Sequence, residues 1–203
     1  MAAPFNSGTV DWSGENPGIY LRENENAPWL SLSTFFRVVL SPHGRGIGAI
    51  VLGSPREAVG EAGNNICIGD NEPLMRYLVK NFVSKFASFR DMPGLAAMTY
   101  LPLGKSETFA RGKDYYVEVL TGGGTTIELR WEELGDPIAA DVQPPQSATG
   151  QHQMYSVFQA AQRGSISVNG KKLAGQATLR DFMGRRFNTA FLAYSETWLT
   201  HGK

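Results

Sequence analysis

A chain of 203 residues, 42% hydrophobic and 11% aromatic, can bury one good core and contains nothing that demands two. Nineteen basic and nineteen acidic residues cancel, with no basic block and no basic stripe interleaved with aromatics, so nothing recommends nucleic acid or an anionic membrane as partner. Cys67 is alone, which excludes an intramolecular disulfide and a thiolate metal cluster from one chain.

The first residues, Met-Ala-Ala-Pro-Phe-Asn-Ser, lack the charged and apolar regions of a secretory leader, and no stretch approaches the roughly eighteen apolar residues of a membrane helix. The default expectation is a cytoplasmic protein. Residues 1–33 carry Gly8, Gly14, Pro17, Gly18 and Pro28, with Trp12, Tyr20 and Trp29 among polar neighbours, and read as an irregular arm pinned by aromatics beside a single domain of residues 34–203. Residues 35–40 and 46–52 are β-branched and aromatic runs that form a hairpin about Ser41-Pro42-His43-Gly44-Arg45. Gly44, Gly46 and Gly48 do not make a dinucleotide loop, because a strand rather than a helix follows. Residues 54–65 read as a loop or short helical turn, and 65–68 as a short strand.

From Asp70 to Arg90 the pattern changes. Leu74, Met75, Leu78, Phe82, Phe86 and Phe89 recur at three- and four-residue steps with charged or polar residues between them, the period of an amphipathic helix. Asp70 suits the N-cap, Glu72 and Pro73 suit the first turn, and Met92-Pro93-Gly94 ends the run, so one long helix is expected over residues 70–90. Residues 95–101 read as a buried strand.

Residues 114–120 and 126–132 are two alternating strands about a glycine-rich turn. If Val117 and Val119 share the inner face with Ile127, Leu129 and Trp131, the loop must have an odd number of residues, such as 122–124, with Glu118 near Arg130 outside. Residues 135–151, with Pro137, Pro144 and Pro145, read as one long loop, a lid or an oligomerisation arm. Residue 154 opens another strand, and Asn169-Gly170 marks a two-residue type I′ hairpin pairing Val168 with Lys171. Residues 176–182 and 187–198 complete the strands, the last apolar enough to be a central one.

Antiparallel strands joined by short turns and interrupted once by a helix give a β-rich α+β class: a curved antiparallel sheet or closed β-barrel with the helix packed on it, or alternatively a hotdog-like wrap of sheet around helix. Gly164-Ser-Ile-Ser-Val-Asn169-Gly170, followed by Arg180-Asp181-Phe-Met-Gly184-Arg185 and an aromatic strand, resembles the closing strands of lipocalin-like barrels of the carotenoid hydratase superfamily. That resemblance implies a lipocalin-like barrel and an apolar cavity for an isoprenoid or lipid ligand.

His43, His152 and His201 lack helical zinc spacing, no nucleophile elbow occurs, and no metal or cofactor is expected. Asp114 and Tyr116, with His152, are the candidate acid/base residues, a carboxylate or imidazole removing a proton while a phenol donates. Phe82, Phe86 and Trp131 are candidate apolar ligand contacts, and Arg130 and Arg185 candidate orienting cations. Arg180-Asp181 with Arg185-Arg186 forms a second polar cluster suited to a carboxylate or phosphate. Three functions follow: binding of a small hydrophobic molecule, cofactor-free isomerisation, hydration or decarboxylation, and a structural homo-oligomer.

Overall fold

The apolar run near the C-terminus organises the sheet. In the computed structural model, which describes residues 8–58 and 65–201, β14 (Ala190–Thr200) pairs with β1 (Thr9–Glu15) and β2 (Gly18–Arg22) on one side and with β10 (Gln153–Val168) on the other. Outward from β1 lie β3 (Trp29–Leu40), β4 (Gly46–Leu52), β5 (Asn65–Gly69) and β6 (Thr99–Pro102). Outward from β10 lie β9 (Thr125–Val142), β8 (Tyr115–Gly122) and β7 (Lys105–Arg111), with β11 (Lys171–Lys172) as a short addition to β10. The sheet is antiparallel throughout except for the parallel pair β5 and β6. A separate hairpin joins β12 (Leu179–Phe182) to β13 (Arg185–Asn188). The only α-helix among the described residues, α1 (Glu72–Asn81), lies against one face of the sheet, and no helix is long and apolar enough to cross a membrane.

The two outermost strands are consecutive in the chain. Only Leu103 and Gly104 separate β6 from β7, and both donate backbone bonds, Leu103 to Gly69 O and Gly104 to Thr121 O, each at 2.9 Å. Gly122 sits where they meet; a Cβ there would come within 2.0 Å of the Pro102 carbonyl.

Strands in the middle of the sheet bury both faces, because alternate residues point to opposite sides. Phe36, Ile50 and Trp198 pack under α1 with Leu74, Leu78 and Phe82. Phe35, Val51 and Leu192 pack instead with Leu120, Leu129 and Trp131 of β8 and β9, which lie far away in strand order, so the sheet curves back on itself.

Several local expectations change. Residues 9–33, read as an arm, form β1, β2 and the start of β3 near the middle of the sheet. Glycines that suggest irregularity serve close approach instead, since a Cβ on Gly14 would lie 2.1 Å from the Arg37 carbonyl. The helix expected over 70–90 ends at Asn81, passing into a short 3₁₀ turn at Val83–Lys85 and further turns. Its N-cap is Asn71, whose side chain accepts from Leu74 N, whereas Asp70 accepts from Ile47 N on β4. At its other end Asn81 donates to Tyr77 O and Ser84 to Lys80 O, side chains that compete with helical bonding, and beyond Phe82, whose N–H still bonds Leu78 O, Val83 and Phe89 are fully buried from the turns that follow.

The strand read at 95–101 shrinks to β6 behind a 3₁₀ turn at Pro93–Leu95. The first half of the loop read at 135–151 is strand, because β9 runs to Val142 and pairs with β10 as far as Met154, leaving 143–152 outside the strands. Of the 54–65 loop, residues 59–64 lie outside the described residues. The Asn169-Gly170 turn forms as expected, with positive φ at both positions and Val168 opposite Lys171.

The β8–β9 register corrects the assignment of faces. The turn has two residues, Gly123-Gly124, so Val119 pairs with Glu128 and Glu118 with Leu129. Tyr116, Glu118 and Leu120 therefore share a face with Trp131, Leu129 and Ile127, and Glu118 is buried rather than outside. The acid is tolerated because Arg37 Nη2 donates to it at 2.9 Å, Tyr116 at 2.7 Å and Thr108 at 2.9 Å.

Candidate functional site

A cavity of about 820 Å³ opens on the helix side of the sheet. Phe86, Ser88 and Arg90 border it from the turns after α1, Val142 and Ser147 from the end of β9 and the loop beyond, and Arg180 and Phe182 from β12. Its strand-borne wall includes Tyr20, Met154, Phe158, Phe191 and Trp198, and Glu196 is set among them.

Glu196 reaches the cavity through a β-bulge. Phe191 and Ala193 face the helix side, and simple alternation would place Ser195 and Thr197 there next. The register between β10 and β14 shifts instead, with Tyr155 opposite Thr197 but Val157 opposite Tyr194, and Ser195 takes φ 50°. One extra residue on β14 rotates Glu196 and Trp198 onto the cavity side, a re-aiming that bulges commonly provide beside functional sites.

The carboxyl of Glu196 is buried, with neutral hydrogen-bond donors and no cation within ion-pair distance among the described residues. Asn16 Nδ2 donates to Oε1 at 3.0 Å and Trp198 Nε1 at 2.7 Å, and the Ser156 hydroxyl adds a further favourable interaction. Thr34 donates to Asn16 Oδ1, which turns the amide so that its NH₂ faces the carboxyl. Burial pushes the Glu196 carboxyl up to about 7, with the Asn16, Trp198 and Ser156 hydrogen bonds pulling in the opposite direction.

Arg180 is the complementary charge. Its guanidinium carbon lies 5.2 Å from the Tyr20 ring centre, 4.9 Å from Phe182 and 5.5 Å from Phe191. Nη1 donates to Ser88 Oγ at 3.4 Å, and Nε is buried without a hydrogen-bond partner. No carboxylate forms an ion pair with it among the described residues; its neighbour Asp181 pairs with Arg186 at 3.3 Å. Burial lowers the proton affinity of Arg180 below the ordinary guanidinium range. Tyr20 senses both charges: burial raises its hydroxyl to about 12, Arg180 lowers it and Glu196 raises it. A cavity with an aromatic wall and a mixed polar rim thus holds a buried base and a desolvated cation, neither joined to an opposite charge among the described residues.

No protein-family model, curated protein or solved structure matches the chain.

Of the residues singled out in the sequence, Phe86 borders this cavity. Phe82 is fully buried behind it, against Trp12, His152 and Trp198. Asp114 is exposed at the β7–β8 turn, 3.3 Å from Arg111, while Tyr116 lies in the Arg37–Glu118 network. His152 Nε2 lies 2.6 Å from Asp11 and Nδ1 2.8 Å from Thr149 Oγ1, an arrangement that clips the 143–152 loop to β1. The three candidate acid/base residues therefore share no partner. Arg130 pairs with Glu128 and Glu132 at the surface, Trp131 is buried in the other core with Nε1 on Gly18 O at 3.0 Å, and Arg185 is exposed at the start of β13. Arg180 and Asp181, from the second polar cluster, do reach the cavity. Glu196 went unrecognised, although a lone acid within an apolar strand was a signal to follow.

Proposed function

We propose that the protein binds a small, mostly hydrophobic molecule that carries an anionic group, with the anion seated on Arg180. One observation carries this reading: a guanidinium bordered by three aromatic rings, with a buried Nε lacking a partner and no carboxylate in an ion pair with it among the described residues. Burying such a group unpaired is unfavourable, and a carboxylate, sulfonate or phosphate would supply the missing acceptor. Phe86, Phe158 and Trp198 offer the rest of the ligand an apolar seat, in keeping with the isoprenoid or lipid type implied by the resemblance.

The same reading takes the sheet as a closed, lipocalin-like barrel. It is supported by the continuity of β6 and β7 across Leu103-Gly104, each hydrogen-bonded to a different end of the strand order. Acid/base catalysis is a second reading, favoured by the buried Glu196 on the same wall.

Two fluorescent probes of similar shape separate the anion from the apolar part. The wild-type protein is expected to bind the anionic anilinonaphthalene sulfonate and the neutral N-phenylnaphthylamine. Arg180→Met is expected to weaken the anionic probe at least roughly tenfold, the scale of one charge-assisted hydrogen bond, and to leave the neutral one within about twofold. Equal losses for both probes, or no loss for the sulfonate, would reject Arg180 as the anchor.

A further inference from the structure

The geometry points to a second recognition point in the same cavity: Glu196 accepts a hydrogen bond from a hydroxyl or N–H of the ligand whose anionic group lies on Arg180, so the cavity takes a bifunctional hydroxy or amino acid on a hydrophobic frame. This inference rests on the anion-binding reading and names the ligand class for it. Arg180 and Glu196 border one cavity, and Tyr20 lies within electrostatic reach of both. They do not pair with each other, and no other residue among those described forms an ion pair with either. A plain fatty or aryl acid would answer Arg180 and leave the carboxylate facing apolar ligand surface. An acid that also carries a donor answers both charges.

The local structure prepares Glu196 for this role. Asn16 and Trp198 converge on Oε1, and Thr34 fixes the orientation of Asn16, so the carboxyl is held by its own strand β14, by the link between β1 and β2 and, through it, by β3, rather than left to rotate. The bulge at Ser195 presents it to the cavity although the two neighbouring positions, Ser195 and Thr197, point elsewhere. Hydrogen bonds to an ionised acceptor are about twice as strong as neutral ones, and stronger still where water is excluded. Selectivity for a donor-bearing ligand follows, because a buried carboxylate with neutral donors but no cation discriminates against a ligand that brings it no further donor.

The test compares 2-naphthoate with its 5-, 6- and 7-hydroxy derivatives by fluorescence titration, so that the donor position is scanned. At pH 8 at least one hydroxy isomer is expected to bind the wild type roughly tenfold more tightly than the parent. In Glu196→Gln, which keeps shape and an acceptor but loses the charge, that advantage is expected to fall several-fold while the parent binds at least as tightly as in the wild type, which also reports that the variant is folded. In the wild type the advantage should shrink as pH falls through about 7, where Glu196 takes up its proton. Tyr20, Arg90, Asp141, Arg180 and Asp181 also border the cavity, and they are all retained in Glu196→Gln, so a pH dependence that survives in the variant belongs to them. Parent binding with no hydroxyl advantage, or an advantage unchanged in Glu196→Gln, would overturn the inference while leaving the Arg180 reading intact. No binding of 2-naphthoate to the wild type would overturn both.

Discussion

Glu196→Gln is expected to stabilise the fold at pH 8 by up to about 3 kcal/mol, the worth of moving a carboxyl from 4.5 in the unfolded chain to about 7 in the folded one. The direction follows from proton binding. Between those two values the folded protein holds a proton that the unfolded chain releases, so this group favours folding below about 4.5 and loses that contribution as pH rises through about 7. Glutamine stays neutral throughout and retains an oxygen for Asn16 and Trp198. Urea unfolding of both proteins at pH 8 and at pH 4.5 checks this. The gap should be widest at pH 8 and nearly vanish at the lower value. A gap of the same size at both would mean that burial does not disfavour the charged carboxyl. A chain that keeps an acid at a stability cost in the wall of a cavity is showing the trade-off common at binding and catalytic sites.

Arg37→Met is expected to act in the opposite direction, costing about 3–5 kcal/mol, towards the lower figure because the Arg37 side chain is 28% exposed whereas that of Glu118 is fully enclosed. The substitution leaves Glu118 with only the Tyr116 and Thr108 hydroxyls as donors. Removing both charges, as in Arg37→Met with Glu118→Leu, should recover much of the loss, since the remaining surroundings on that face include Leu120, Leu129 and Trp131. A double-mutant cycle by urea unfolding gives the coupling directly, and additive effects would show that the pair is not an energetic unit. The two buried acids thus differ in kind. Glu118 has a cation and is satisfied by the protein, whereas Glu196 has only neutral donors and faces open space.

This distinction bears on how a site is recognised in such a chain. Asp114 and Tyr116 attracted notice because they are polar and close in sequence, yet one is a solvated turn residue and the other a donor within a closed network. Arg180 and Glu196 are sixteen positions apart by their numbering and meet one cavity only because β12 folds over the face that β14 presents. What identifies them is the lack of an opposite charge in an ion pair among the described residues, a property that exists only after the rest of the chain has been placed.

The sequence by itself determined what depends on neighbours within a few residues. The Asn169-Gly170 turn follows from tolerance of positive φ, the start of α1 to within a residue or two from its acidic, proline-bearing first turn, and the central position of β14 from an apolar run suited to burial on both faces. Tertiary structure alone decided which face of β8 turns inward, where the amphipathic segment stops being helical, and that residues 9–33 belong to the sheet. Period-two alternation is symmetric between faces, so either set of side chains could be inside until a partner chose one; Arg37 makes burial of Glu118 acceptable, and beyond Phe82 the chain leaves the helix for turns from which Val83 and Phe89 are buried. The bulge at Ser195 belongs to the same class, because a single extra residue reverses every later side chain of the strand without marking the local pattern, and so Glu196 became a cavity residue only when β10 set its register.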